Sequence, residues 1–172
     1  GGVPQNIPGG EIYQALEKGT IDATEWVGPY DDEKLGFFKV AKNYYYPGWW
    51  EGGADLEFFI NLKKYNALSA ENKAILNAAM AVAATDMTAK YDTYNPIALK
   101  KLVAEKTQLK AFPKAVIDAG FKACMEVFAE HEAKSPEFKK IHQDMRAFQR
   151  DQVLWSKFSE WRFDSYIASA KL

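Results

Sequence analysis

Cysteine is almost absent from this chain, with one residue, Cys124, among 172. A single thiol builds neither a disulfide framework nor a zinc cluster, so both are excluded as sources of stability. Cys124 falls among Phe121, Met125 and Phe128 in a helical pattern, where a buried, inert thiol is expected. Net charge is equally scarce. Lys and Arg total 22 against 23 Asp and Glu, for a formal charge of −1, which leaves no basic field to hold nucleic acid or an anionic membrane surface. Histidine is limited to His131 and His142. Even on one unbroken helix these would lie roughly 16 Å apart at 1.5 Å per residue, so they read as surface residues and not as a metal pair. No apolar run approaches the ~18 residues of a membrane span, and no GxSxG elbow or phosphate-cradling glycine loop occurs. No charged, apolar, small-residue leader opens the chain, and Gly1-Gly2-Val3-Pro4 reads as an internal position of a longer protein.

What the chain does have is apolar mass, 48% hydrophobic and 15% aromatic residues, enough to bury a core. Its chemistry is concentrated in residues 24–53. Glu25 stands beside Trp26, and Glu51 follows Trp49 and Trp50, each close to glycine (Gly28; Gly52 and Gly53) that lets backbone approach a guest. Flat apolar walls with a few oriented polar groups are the make-up of a small-molecule pocket. Three other readings stay open on the residues alone. Glu25 can be a solvated turn acid and the tryptophans ordinary core aromatics; Tyr46 fits the wall less well. Paired glutamates amid tryptophans also describe a glycosidase cleft, or a carbohydrate-binding surface stacking sugars on Trp49 and Trp50.

Local patterning predicts a short amphipathic helix over 11–18 with Ile12, Ala15 and Leu16 inward and Gly19 as its stop. A strand over 20–24 leaves Glu25 at its end, where ligand groups of layered α/β folds are expected. A short helix over 30–35 places Asp31, Asp32 and Glu33 at its positive end as capping, solvated acids. Strands are expected at 37–40, 44–46, 56–60 and 109–112. Ser69 caps a long Ala-rich helix kinked at Pro96. Helix over 115–130 turns Val116, Ala119, Ala123 and Val127 inward, and Ser135-Pro136 opens another with the stripe Phe138, Ile141, Met145 and Phe148. Trp155, Phe158, Trp161, Phe163 and Tyr166 make the tail too aromatic to leave uncovered.

Glu25-Trp-Val-Gly-Pro-Tyr-Asp-Asp32 and Tyr44-Tyr-Tyr-Pro-Gly-Trp-Trp-Glu-Gly-Gly53 resemble the solute receptor (DctP type) of tripartite ATP-independent periplasmic (TRAP) transporters. The branch is the one that binds 2-oxo or 2-hydroxy monocarboxylates with a cation, and the likeness covers the second half of such a receptor. It implies an α/β, periplasmic binding protein-like two-lobed fold, of which residues 1–68 form a second-lobe segment carrying the site. Residues 69–107 would be a long spine helix, and 108–172 a strand plus C-terminal helices, one exchanged between the subunits of a homodimer. It also implies a non-enzymatic, periplasmic protein that delivers ligand to TRAP membrane subunits. The metal ligands carried over are the Glu25 carboxylate, the Trp26 main-chain carbonyl and the Glu51 carboxylate; Glu25, Trp26, Trp49, Trp50 and Glu51 would meet the substrate. Such hard oxygens suit Na⁺ or Ca²⁺. The cation would remove repulsion, of order several kcal/mol in a low-dielectric pocket, between two glutamates and an anionic guest. The family's carboxylate-clamping arginine comes from the first lobe, and Arg146, Arg150 and Arg162, all near the C-terminus, do not supply it.

Overall fold

The computed structural model describes residues 2–48, 50, 53 and 56–170. They form two compact units, Gly1–Phe112 and Pro113–Leu172. In the first, a turn of 3-10 helix at Gly9–Glu11 leads into α1 (Ile12–Glu17). Ile12 and Leu16, four residues apart on one face, meet Phe37 in a small core wrapped by Ile7, Tyr13, Ile21, Trp26, Val40 and Ala41. Gly19 ends the helix as expected: at φ +69° it lets Thr20 N–H donate back to Ala15 O at 2.8 Å.

Gly28 and Pro29 open α2 (Pro29–Leu35), and Gly36 at φ 73° closes it. The strand expected at 37–40 is instead a 3-10 turn, Phe37–Lys39. Lys39 N–H donates to Gly36 O at 2.9 Å and Val40 N–H to Phe37 O at 3.0 Å, so these amides close local turns and do not enter a ladder. β1 (Asn43–Tyr46) pairs in parallel with β2 (Gln108–Ala111), with Tyr44 opposite Leu109. Among the described residues these two strands are the whole sheet. Residues 20–24 and 56–60 therefore have no ladder partner among them, and the strands expected there are absent.

Asn61 caps α3 (Leu62–Asn66) by accepting from Lys64 N. Ser69 then caps α4 (Ala70–Ala104), accepting from Asn72 N at 3.2 Å. This helix runs 35 residues through Pro96 without a break, roughly 50 Å at 1.5 Å per residue. It stops at Lys106, a non-glycine residue at φ 66°, where Thr107 N–H donates to Leu102 O at 3.0 Å.

The second unit is helical: α5 (Lys114–Lys134), α6 (Pro136–Phe158) and α7 (Glu160–Ser169). Ser135 accepts from Phe138 N at 3.1 Å as the cap of α6, and Pro136 takes the first helical position. The inward face of α5 carries Ile117, Cys124, Met125 and Phe128, whereas Val116, Ala119, Ala123 and Val127, expected inward, are exposed. The phase of the helix is set by its hairpin with α6. There His142, only 9% exposed, meets Glu132 Oε1 through Nδ1 at 2.6 Å and lies against Phe128 and Phe138 at 4.6 and 5.6 Å. His142 is thus a hairpin contact and not the surface residue expected, while Ile141, Met145 and Phe148 of the expected stripe are exposed.

Candidate functional site

Glu25 lies on irregular backbone between the α1 core and α2, its side chain exposed, and Thr24 Oγ1 donates to the Glu25 carbonyl at 3.1 Å. The next residue is held firmly. The Trp26 ring packs edge-on to Phe37 with centroids 6.4 Å apart, and a Cβ at Gly9 would fall 2.5 Å from its Cη2. Gly9 must therefore remain glycine for the indole to lie where it does. Trp26 anchors the segment by its ring and leaves Glu25 outward, so the indole itself belongs to the core.

The α2 helix that follows is strapped to α4. Tyr30 N–H donates to Asn95 Oδ1 at 3.0 Å, Tyr91 Oη donates to Asp31 Oδ2 at 2.7 Å, and the Tyr30 ring stacks on Tyr94 at 5.1 Å. On the β1 side, Tyr44 Oη donates to Asp32 Oδ2 at 2.5 Å. Asp31 and Asp32 are therefore not the solvated acids expected: both accept tyrosine hydroxyls, and Asp32 is buried. Burial pushes the Asp32 carboxyl above the usual range, aided by the Asp31 charge and opposed by the Tyr44 bond and nearby main-chain N–H groups. Burial, then the bond to Asp32, raises Tyr44 well above an ordinary phenol, so it stays a donor at neutral pH. The Tyr91 hydroxyl is raised chiefly by its bond to Asp31. Sequence reasoning missed this tyrosine-carboxylate set, since nothing in local spacing pairs Asp32 with Tyr44 or Asp31 with Tyr91.

Beyond β1 the described wall is aromatic. Trp50 is 47% exposed and sets its ring edge on Phe112 at 5.9 Å. Phe112 also lies against Tyr45 at 5.2 Å and donates its N–H to Tyr46 O at 2.8 Å. Trp49 and Glu51 lie outside the described residues. Among the described residues no three or more His, Cys, Asp or Glu side chains gather as a metal cage. A carboxylate such as that of Glu25 is a hard oxygen donor, and it suits a hard cation and not a soft metal.

The Glu25 segment is thus supported from both sides, by the Trp26 core and by α2 strapped to α4. The model of the bacterial extracellular solute-binding proteins, family 7 (DctP), matches residues 1–135, and the chain belongs to that family. A monocarboxylate 2-oxoacid-binding periplasmic protein of Nostoc sp. (strain PCC 7120) is 40% identical over 167 residues, 97% of this chain and 46% of that protein. A TRAP transporter solute-binding protein of Bordetella bronchiseptica, solved with calcium and picolinate, superposes with a TM-score of 0.90 at 46% identity, over 96% of this chain and 49% of that one. One from Pseudoalteromonas atlantica, solved with sodium and pyruvate, gives 0.89 at 39% identity over 99% and 51%. The chain thus spans about half the length of the relatives it matches. Its mostly helical fold with a small parallel sheet is that of one half of a two-lobed binding protein. The family is one of solute binding for transport.

Proposed function

We propose that this chain is the second half of a periplasmic TRAP receptor that captures a small 2-oxo or 2-hydroxy monocarboxylate through a bound Na⁺ or Ca²⁺ and hands it, unreacted, to the membrane subunits. The observation that carries the reading is Glu25, exposed on a segment whose neighbouring indole is locked into the core, in a chain 39% identical to a receptor solved with sodium and pyruvate. The Glu25 carboxylate, the Trp26 carbonyl and the Glu51 carboxylate would hold the cation. Trp49 and Trp50 would border the substrate. The cation supplies the positive charge that lets an anion approach two glutamates. The receptor would dimerise through the exposed aromatic residues of α6 and α7.

Calorimetric titration of the complete receptor with pyruvate tests the site. Glu25→Gln and Glu51→Gln should each weaken pyruvate and cation binding together, because ligand and cation share a shell. The loss should be at least about tenfold, the lower end of what removing even an outer partner of a metal site causes. Exchanging the parent receptor into buffer that holds neither Na⁺ nor Ca²⁺ should abolish pyruvate heat. Wild-type affinity in both glutamine variants would refute the assignment.

A further inference from the structure

The Glu25 carboxylate and the Trp26 carbonyl stand at the head of a short bridge, Trp26 to Tyr30, that is anchored at each end. At its start the Trp26 indole packs against Phe37 and over Gly9. At its end Tyr30 N–H donates to Asn95 Oδ1 at 3.0 Å, across 65 residues of sequence. Helix α2 needs that outside acceptor. The first N–H groups of a helix have no partner within it, and Gly28, at the cap position, makes no side-chain cap. Asn95 supplies the missing cap oxygen from α4 at close quarters, since a Cβ at Gly28 would lie 3.5 Å from the same Oδ1. Its neighbours on α4 hold the contact in place: Tyr94 stacks on Tyr30 at 5.1 Å, and Tyr91, one turn earlier, donates to Asp31 at 2.7 Å.

Only Val27, Gly28 and Pro29 join the two anchors, and the proline ring fixes one of their torsions. Within the bridge the main-chain N–H groups of Gly28 and Val27 favour the charged form of the buried Asp32 carboxyl. The Trp26–Val27 peptide is a planar trans unit, so an N–H turned toward Asp32 sends the Trp26 carbonyl to the opposite side. Partners that orient metal ligands without touching the metal tune its affinity. We propose that Asn95 is a positioning residue for the cation: by capping α2 from α4 it fixes the direction of the Trp26 carbonyl, a role that rests on the assignment of Glu25 and that carbonyl as ligands.

The experiment is calorimetric titration of the complete receptor with pyruvate over a series of Ca²⁺ or Na⁺ concentrations, whichever supports binding in the parent. Asn95→Leu fills the same space and removes the acceptor. At limiting cation it should weaken pyruvate binding by about tenfold with the number of sites unchanged, and excess cation should restore most of the loss by mass action. Asn95→Asp keeps an acceptor for Tyr30 N–H and should stay within about threefold of the parent. Asn95→Ala, which suits a helix best, is the one to read should Asn95→Leu not fold, with the same loss expected. Parent-like affinity in Asn95→Leu, or in Asn95→Ala where it stands in, overturns the proposal. So does a fall in the number of sites at parent affinity, or a weakened affinity that excess cation does not restore, either of which assigns the bond to the fold alone. An Asn95→Asp variant as impaired as Asn95→Leu overturns it too, because the acceptor is then not what matters. Glu25→Gln run alongside separates the two levels. If it binds normally, the ligand site itself is misassigned; if it alone is impaired, only the positioning role of Asn95 is lost.

Discussion

Asp32 shows how much a single side chain can hide from a sequence reading. Its place in the first turn of α2 suggested a dipole-compensating acid, and the position on the helix was legible. Its burial was not, because the covering tyrosine arrives from a strand 12 residues away. The consequence is measurable. A carboxyl whose folded pKa lies above its unfolded one costs no stability while protonated in both states. As pH rises past the ordinary aspartate range near 3.8, the unfolded chain ionises first and stability falls, levelling off once the folded group has also lost its proton. Asp32→Asn cannot titrate. The stability of this variant minus that of the parent should therefore increase as pH rises from the acid end and then reach a plateau. Urea melts across that range check it, and a difference independent of pH would mean that Asp32 is not shifted.

At the scale of elements, beginnings of helices were easier to read than ends or faces. Ser69 and Ser135 cap α4 and α6 as their sequences announce, since a cap is a local contact between a hydroxyl and an amide three residues on. The end of α4 carries no such mark, because Lys106 occupies the left-handed position where glycine is usual. The inward face of α5 escaped for a different reason: hydrophobicity favoured Val116 and Val127, but the hairpin with α6 selects the face bearing Phe128 and Glu132. Lys106→Gly should stabilise the protein by about 0.5 kcal/mol. Relief of roughly 1–2 kcal/mol of left-handed strain outweighs about 0.5–1 kcal/mol of added freedom in the unfolded chain. A denaturant midpoint that moves upward at unchanged slope is the expected reading.

On the scale of the whole molecule, apolar surface is left where a sheet or a partner would cover it. The stretch 56–60 has strand composition, yet Phe59 is 89% exposed, and in relatives twice as long the partners that such a strand requires would lie elsewhere in the chain. Composition suggested a strand there and the structure has none; a strand needs a pairing partner, which local pattern does not specify. The second unit poses the same question on helices. Ile141, Met145, Phe148 and Trp155 recur at helical spacing along α6, and Trp155 and Phe158 are 61% and 79% exposed. Fully burying side chains of this size contributes about 1.5–3 kcal/mol each, so a continuous stripe is ample to hold a second copy, whereas a buried unpaired charge within it opposes association. Trp155→Glu combined with Phe158→Glu should convert the complete receptor from dimer to monomer in light scattering at micromolar concentration. Pyruvate affinity should stay within about twofold, because neither residue belongs to the unit that carries Glu25. A parent receptor that is already monomeric under those conditions removes the dimer and leaves the stripe to cover some other part of the same chain.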